Sequence, residues 1–159
     1  MKSGFVSIIG RPNTGKSTLM NTILKKHIAI VSNVAGTTRN AIQGVYNDKE
    51  TQIIFVDTPG IHKPQDKLGK YLNKQTYESL EDIDAILFVV DASAPIGRGD
   101  KFISQTFKNI ETPVILVLNK IDKLSDEQIL KSINDYNDLY DFSDIVPISA
   151  LKDDNVERL

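Results

Sequence analysis

The chain has no cysteine among its 159 residues. Disulfide bonds and thiolate metal sites are therefore excluded, which fits a protein that works in a reducing compartment. The formal net charge is only −2, so the chain lacks the basic surface with which many proteins hold nucleic acid. Before Gly10 only residues 5–9 are apolar in character, too few for a signal-peptide core or a membrane span. We expect a cytoplasmic globular domain with weak RNA affinity and no transmembrane segment.

Apolar runs alternate with helical patterns along the whole sequence, which is typical of an α/β fold with a mostly parallel sheet. The runs IIFVD, AILFVVD and VILVLN are almost continuously hydrophobic, as strands are when both of their faces are buried. The second strand and the third are separated by a short polar turn, which predicts a hairpin and one antiparallel edge strand. The predicted strands cover residues 5–9, 44–47, 52–57, 85–91, 114–119 and 145–148.

Helices are predicted between these strands, on both faces of the sheet, from apolar residues at helical spacing. They cover residues 16–26 and 67–80, the segment around Phe102 to Phe107, and a segment that begins after Ser125. Ser125 and Gln128 have the spacing of a capping box. Residues 153–159 resemble the first turn of another helix. We therefore expect one domain over residues 1–159, truncated in or near its final helix.

The segment GRPNTGKST, at residues 10–18, follows a predicted strand and precedes a predicted helix. It matches the phosphate-binding pattern G-x-x-x-x-G-K-[ST] in the context that this pattern requires. Lys16 would reach the β- and γ-phosphates, and Ser17 would ligate Mg²⁺. The competing interpretation is a glycine turn with a surface lysine. The predicted phosphate-binding residues are Gly10, Arg11, Pro12, Asn13, Thr14, Gly15, Lys16, Ser17 and Thr18. Such a loop by itself leaves ATP, GTP and other phosphates open.

A second segment, DTPG, follows the buried run IIFV. Asp57 would lie at a strand end beside the phosphate-binding loop, where a carboxylate can help to hold Mg²⁺. Gly60 can offer its backbone N–H to a γ-phosphate because no side chain blocks the approach. Thr58 and Pro59 complete the turn. On its own DTPG is a common turn, so its position behind the phosphate-binding loop carries the prediction.

A third segment, NKID at residues 119–122, selects the base. The two carboxylate oxygens of Asp122 match the adjacent N1–H and N2–H₂ donors of guanine, whereas adenine has no such pair. Lys120 can lie along the base, and Asn119 can connect this loop to the phosphate-binding loop. The segment Ser149, Ala150 and Leu151 follows the last strand and is suited to give a backbone N–H to guanine O6. NKID alone could be a charged loop; in register with the other two segments it indicates a guanine nucleotide.

These segments resemble the Era family of bacterial ribosome-assembly GTPases. The resemblance covers nearly the whole chain, including GFVSIIGRPNTGKSTLMNTIL, DTPGIHKP, PVILVLNKID and DIVPISA. It implies a three-layer P-loop NTPase sandwich, GTP or GDP as ligand, and Mg²⁺ held by Ser17, Asp57 and Thr38, with Thr38 sensing the γ-phosphate. It also implies a KH domain beyond residue 159 that binds 16S rRNA and the small ribosomal subunit. Thr14, where the family has Val or Ala, is expected to alter little.

The family resemblance sets the wider expectations as well. They are a GTP-hydrolysing switch in small-subunit assembly and 16S rRNA maturation, a monomer, and a cytoplasmic location with peripheral contact at the inner face of the cell membrane. The alternative is a guanine-nucleotide sensor for GDP, GTP or ppGpp with negligible hydrolysis.

The residue after DTPG keeps that alternative open. Ras-like enzymes have a glutamine there that orients the attacking water, whereas this chain has Ile61. The neighbouring His62 could substitute, but a histidine in a polar loop is more often simply solvated. Three arginines, Arg11, Arg39 and Arg98, are candidate arginine fingers, and none has supporting context.

Asn13 is the remaining candidate for a catalytic contribution. Resemblance to GTPases with the pattern GxPNxGKS implies that its side-chain oxygen ligates a K⁺ ion that bridges the phosphates. The competing interpretation is that Asn13 only shapes the turn. We therefore expect slow GTP hydrolysis stimulated by K⁺. The predicted catalytic residues are Asn13, Lys16, Thr38 and Gly60.

Overall fold

The computed structural model describes residues 2–11, 13–26, 42–56 and 83–159. Several predictions fall outside these ranges. They concern the helix at 67–80, the residues Pro12, Thr38, Arg39, Ile61 and His62, and the segment from Asp57 to Gly60.

The described residues form one six-stranded sheet with the order β2-β3-β1-β4-β5-β6. Every pairing is parallel except that of β2 with β3, which is antiparallel. The predicted mostly parallel sheet with an antiparallel edge strand is confirmed. The strands are β1 (Lys2–Ile9), β2 (Ile42–Asn47), β3 (Thr51–Val56), β4 (Ala85–Asp91), β5 (Val114–Asn119) and β6 (Asp144–Pro147).

The first strand begins three residues earlier than the hydrophobic run predicts. Lys2, Ser3 and Gly4 are in register with residues 51–53 of β3. Backbone pairing with a neighbouring strand needs no apolar side chains. The strand start is therefore set by β3 and not by the hydrophobicity of β1 itself.

Helices cover both faces of the sheet, as predicted. They are α1 (Lys16–Lys26), α2 (Arg98–Thr106) and α3 (Asp126–Asn137). In β4, Phe88 and Val90 join one apolar cluster, with residues of α2 and α3, whereas Leu87 and Val89 join the other, with Leu19 of α1. This alternation follows from the two-residue period of a strand, and it explains why this strand has no polar residue before Asp91.

Two helix predictions near the end of the chain have different outcomes. The capping box at the start of α3 is confirmed, because the Gln128 N–H donates to Ser125 Oγ and the Ser125 N–H donates to Gln128 Oε1. In place of the start of a further α-helix, residues Val156–Arg158 form one 3₁₀ turn. None of the helices in the described part of the chain has the length and apolar character needed to cross a membrane.

The carboxyl ends of neighbouring parallel strands share one edge of the sheet. Gly10 follows β1, Asp91 ends β4, and Asn119 ends β5. The segment that follows β6 brings Ser149 to the same edge, since Ile148 donates its N–H to Leu118 O. Crevices at this edge are where open α/β sheets bind ligands. The fold thus brings together three of the segments that the sequence singled out.

Candidate functional site

The loop between β1 and α1 holds two of its own backbone carbonyls with its own side chains. Lys16 Nζ donates to Gly10 O at 2.6 Å, and Thr14 Oγ1 donates to Arg11 O at 2.9 Å. Thr14 is 2% exposed, so its hydroxyl is a buried polar group that needs this acceptor. The prediction that threonine changes little here misses a cross-loop hydrogen bond that valine or alanine could not make.

Two further carbonyls of the same loop are held from the NKID segment. Lys120 Nζ donates to Asn13 O at 2.8 Å, and Asn119 Nδ2 donates to Thr14 O at 2.9 Å. The predicted connection between Asn119 and the phosphate-binding loop is therefore present. These donors come from residues 105 and more positions away in sequence, so the loop is shaped by the tertiary fold as well as by its own sequence.

The direction of these carbonyls fixes the direction of the adjacent amides. No described peptide bond is cis, and in a trans peptide the N–H points opposite to the carbonyl before it. With the carbonyls of Asn13 and Thr14 turned toward Lys120 and Asn119, the N–H groups of Thr14 and Gly15 point away from those side chains. The Gly10 carbonyl faces Lys16 Nζ, so the Arg11 N–H points away from Lys16. A concave loop of inward N–H groups above a helix N-terminus fits the oxygens of a phosphate chain.

Close backbone approaches explain the two loop glycines. A Cβ on Gly10 would overlap the carbonyl oxygen of Val89. Gly15 has φ +99°, and a Cβ there would overlap the side-chain amide nitrogen of Asn119. Asn13 lies in the left-handed region with φ 66°, where asparagine is tolerated better than most residues. The spacing of glycine and asparagine in this loop therefore has a local steric reason.

Asn119 connects the two ends of the site. Its Nδ2 donates to Thr14 O, and its Oδ1 accepts the Ala150 N–H at 3.0 Å. The residue is 2% exposed, and one amide group satisfies a backbone carbonyl on one side and a backbone N–H on the other. The phosphate-binding loop and the segment after β6 are thus held at a fixed separation.

The segment that was predicted to read the base is more open. Asp122 is exposed, and its Oδ1 accepts a hydrogen bond from Ser149 Oγ at 2.8 Å. Lys120, which precedes the 3₁₀ turn carrying Asp122, has φ 69°. The carboxylate is therefore oriented by one hydrogen bond and retains acceptor capacity toward a ligand.

After β6, the backbone N–H groups of Ser149 and Ala150 already have acceptors within the protein. The Ser149 N–H donates to Asp154 O, and the Ala150 N–H donates to Asn119 Oδ1. The next residue, Leu151, is 73% exposed, and its N–H has no acceptor in the part of the chain that the structure describes. Of the three residues in this segment, Leu151 is therefore the one whose backbone N–H is available to a ligand.

Sequence reasoning missed Asp91, which lies behind Lys120. Asp91 Oδ2 is 3.1 Å from Lys120 Nζ, and Asp91 Oδ1 accepts from the backbone N–H and the hydroxyl of Ser93. Burial raises the pKa of Asp91, but the hydrogen bonds from Ser93 and Lys120 outweigh that effect and hold the pKa below its ordinary value. Asp91 is the final residue of the run AILFVVD, so a strand ending in a carboxylate was the available signal.

The candidate arginine fingers have separate outcomes. Arg11 donates from Nε to Asp100 Oδ1 at 3.0 Å, so its guanidinium is engaged at the start of α2. Arg98 is exposed on the first turn of α2. Arg39 lies outside the described residues. Among the described residues, no contact supports either Arg11 or Arg98 as an arginine finger.

The predicted Mg²⁺ ligands are described only in part. Ser17 is exposed on the first turn of α1, where its hydroxyl can reach a cation beside bound phosphates. Thr38 and Asp57 are not among the described residues. Within the residues that the structure describes, no three His, Cys, Asp or Glu side chains cluster as a metal site.

Comparison with known proteins identifies the class. Residues 5–120 match the family described as 50S ribosome-binding GTPase. The chain therefore belongs to this family of GTPases.

Within that class the chain is similar to Era. A crystal structure of Era in complex with MgGDPNP and nucleotides 1506-1542 of 16S ribosomal RNA is 43% identical over 99% of this chain, with a TM-score of 0.77. A variant of Aquifex aeolicus Era bound to GDP.AlF4- is 44% identical over 99% of this chain, with a TM-score of 0.76. The chain spans 54% and 55% of the length of these two Era chains. The resemblance to Era that the sequence motifs predict is confirmed.

More distant structures share the fold alone. The G-domain of FeoB from Methanococcus jannaschii is 22% identical over 99% of this chain and 93% of its own, with a TM-score of 0.63.

Proposed function

We propose that the chain is the nucleotide-binding part of an Era-type molecular switch that binds and hydrolyses GTP. The observation that carries the proposal is the position of Asn119, whose side chain joins Thr14 of the phosphate-binding loop to Ala150. A site built in this way suits a ligand with a phosphate chain at one end and a base at the other. Family membership and the similarity to Era structures support the same conclusion.

Guanine selection rests on a small set of groups at the exposed end of the site. Asp122 would accept the N1–H and N2–H₂ donors, with Ser149 Oγ holding the carboxylate in place. The Leu151 N–H would donate to O6. Because a site that is built to hydrogen-bond a substrate rejects an analogue without the matching groups, we expect GDP to resist displacement by ATP.

The phosphate chain would be held by the N–H groups of residues 14 and 15 together with Lys16 and Ser17. Mg²⁺ held by Ser17, Thr38 and Asp57 would neutralise charge on the β- and γ-phosphate oxygens. Gly60 would donate its N–H to the γ-phosphate. Thr38 and Gly60 would then respond to the loss of that phosphate, as switch segments of GTPases do.

Asn13 is proposed as a K⁺ ligand. It is exposed, and its backbone carbonyl accepts from Lys120 Nζ. Its side-chain amide makes no hydrogen bond within the described part of the chain. A cation held by this amide could supply the positive charge of an arginine finger, which Arg11, bound to Asp100, does not supply.

The test compares GTP turnover in K⁺ and in Na⁺ at equal ionic strength. We expect slow turnover that is faster in K⁺, and Asn13→Ala should remove the difference between the two salts. Asn134→Ala is the matched control, because Asn134 is exposed on α3, away from the loop. Equal rates in both salts, or a K⁺ effect that survives Asn13→Ala, would contradict the role of Asn13.

The alternative function is a sensor that binds guanine nucleotides without hydrolysing them. Ile61 favours it, because this side chain cannot orient a water molecule. Single-turnover phosphate release in K⁺ separates the two functions. Release above the buffer background supports an enzyme, and release at background supports a sensor.

We further propose that RNA binding belongs to a KH domain outside these residues, in a protein that acts on 16S rRNA and the small ribosomal subunit in the cytoplasm or at the inner membrane face. The Era structure with a 16S rRNA fragment and the net charge of −2 support this. We expect the chain to be monomeric and to bind rRNA weakly. Tight binding of a 16S rRNA 3′ fragment in a filter-binding titration would contradict the proposal.

A further inference from the structure

A buried carboxylate connects the phosphate-binding loop to α2. The side chain of Asp100 is 1% exposed, and its Oδ1 is 3.0 Å from Arg11 Nε. Its other oxygen, Oδ2, accepts the backbone N–H of Gly97 at 3.0 Å. One carboxylate therefore caps the N-terminus of α2 and holds the side chain of a residue in the phosphate-binding loop, 89 positions away in sequence.

The Arg11 side chain packs against two glycines, Gly97 and Gly99, at the start of α2. A Cβ on Gly99 would be 2.5 Å from Arg11 Cδ and 3.0 Å from its Cγ, and a Cβ on Gly97 would be 2.7 Å from an Arg11 guanidinium nitrogen. Contacts this short are sterically forbidden, so any larger residue at 97 or 99 would displace the arginine. The α2 N-terminus is therefore shaped around this side chain.

The environment makes the ion pair sensitive above all to removal of Arg11, which would leave the enclosed carboxylate without its charged partner. Asp100 is enclosed, whereas the Arg11 side chain is 34% exposed. Tyr136 is buried near the pair; burial raises its pKa and the Asp100 carboxylate adds to the effect. An ion pair in such low-dielectric surroundings cannot lose one partner without leaving an uncompensated charge.

We propose that Asp100 and Arg11 are positioning residues that set the nucleotide affinity of the phosphate-binding loop. Neither side chain has to touch the ligand for this role. The Arg11 side chain holds the loop from outside, next to Gly10, whose carbonyl accepts from Lys16 Nζ, so displacing the side chain shifts the part of the loop that positions Lys16. The inference rests on the proposed function, because it concerns the geometry with which the loop would hold GDP or GTP.

The first experiment changes the two members of the pair. We expect Arg11→Gln and Asp100→Asn each to weaken GDP binding about tenfold, which corresponds to about 1.4 kcal/mol. The double variant should be no weaker than either single variant, because both remove the same contact. Arg11→Lys keeps the charge opposite Asp100 and should recover part of the affinity. Lys101→Gln, on the exposed side of α2, is the control for removal of a positive charge.

The second experiment separates positioning from simple stabilisation. Gly99→Ala alters neither member of the pair and introduces a better helix former near the start of α2, yet its Cβ must push Arg11 aside. We expect weaker GDP binding with a thermal stability above that of Arg11→Gln, because the better helix former offsets part of the weakened ion pair. Gln105→Ala, at an exposed position of α2, should leave affinity unchanged.

The readouts are the dissociation constant of a fluorescent GDP analogue, measured where circular dichroism shows each variant to be folded, and the ³¹P shift of its β-phosphate. Changed affinity and a moved resonance in Arg11→Gln and Gly99→Ala support the proposal. Wild-type affinity in Gly99→Ala and Arg11→Gln overturns it while the proposed function stands. Absence of GDP binding by the wild-type chain overturns the proposed function and this inference with it.

Discussion

The phosphate end and the base end of the candidate site are built in contrasting ways. At the phosphate end, donors from Lys16, Thr14, Lys120 and Asn119 hold four carbonyls of one loop, and Asp100 holds Arg11 from outside. At the base end, the exposed Asp122 is held by one side-chain hydrogen bond from Ser149. The phosphate end is held by contacts with distant parts of the chain, and the base end exposes a few groups to solvent.

This contrast indicates that different residues determine the stability of the fold and the choice of the nucleotide base. At the phosphate end Asn119 satisfies two buried backbone groups, so its loss should reduce both stability and binding. Asp122 satisfies no buried backbone group, so its loss should reduce binding alone. The difference teaches that residues that select the base can be substituted without loss of the fold, whereas residues that hold the phosphate-binding loop cannot.

Asn119→Ala should have the largest effect. It removes the hydrogen bonds to Thr14 O and Ala150 N–H and leaves both of these groups unpaired in a buried position. We expect the free energy of unfolding to fall by roughly 2–5 kcal/mol and GDP affinity to fall by about a hundredfold or more. Urea unfolding and nucleotide titration measure the two effects.

Asn134→Ala is the control for the same chemical change at an exposed helical position. It should leave unfolding and affinity close to wild type. If Asn119→Ala bound GDP with wild-type affinity, nucleotide binding would not depend on the Asn119 side-chain amide that joins the two ends of the site.

Asp122→Asn tests the base end. We expect guanine-nucleotide affinity to fall by about a hundredfold, because an amide presents a donor toward the guanine N–H groups. The free energy of unfolding should change by less than about 0.5 kcal/mol, as for most exposed positions. A loss of stability as large as that of Asn119→Ala would erase the contrast between the two ends.

Asp91→Asn probes the support behind Lys120 through pH. Because the folded-state pKa of Asp91 lies below its ordinary value of 3.8, its stabilising contribution is present above that value and is lost as pH falls through the lowered pKa. Wild type should therefore be more stable than Asp91→Asn at neutral pH, and the difference should shrink at about pH 3. Urea unfolding at the two pH values measures this.

Asp135→Asn, on the exposed face of α3, should show only a small difference at either pH. A gap between wild type and Asp91→Asn that stays constant with pH would contradict the charged contact with Lys120.

Tyr136→Phe should have the smallest effect near neutral pH. Burial and the Asp100 carboxylate raise the pKa of Tyr136 above its ordinary value of 10.0, so the protonated tyrosine stabilises the fold below that value and the contribution is lost as pH rises. Thermal unfolding of wild type should weaken between about pH 9 and pH 11, and less so in Tyr136→Phe. An identical alkaline loss in both proteins would contradict the burial of this hydroxyl.

The strands buried on both faces could be read from the sequence residue by residue. The runs at 85–91 and 114–119 coincide with β4 and β5, because continuous apolar sequence has one stable solution in a covered parallel sheet. The segments at 10–18 and 119–122 could be singled out in the sequence because the chemistry that they predict depends on spacing along the chain.

Contacts between distant positions could not be read in this way. The pairing of Arg11 with Asp100 and of Lys120 with Asp91 depends on which strands are neighbours, and no single-sequence pattern encodes that. The sequence named Ser149, Ala150 and Leu151 together but could not rank them, because Asn119 accepts the Ala150 N–H only after both segments have come together.

The two hydrogen bonds of the Asn119 side chain also determine when the site can be completed during synthesis of the chain. A ribosome releases residue 14 long before residue 119, and residue 150 emerges later still. The amide bridge spans 105 positions in one direction and 31 in the other. A nascent chain therefore has a complete phosphate-binding sequence early but acquires the full geometry of the site only when nearly all of these residues have been synthesised. Nucleotide capture during translation would thus mark the completion of the domain.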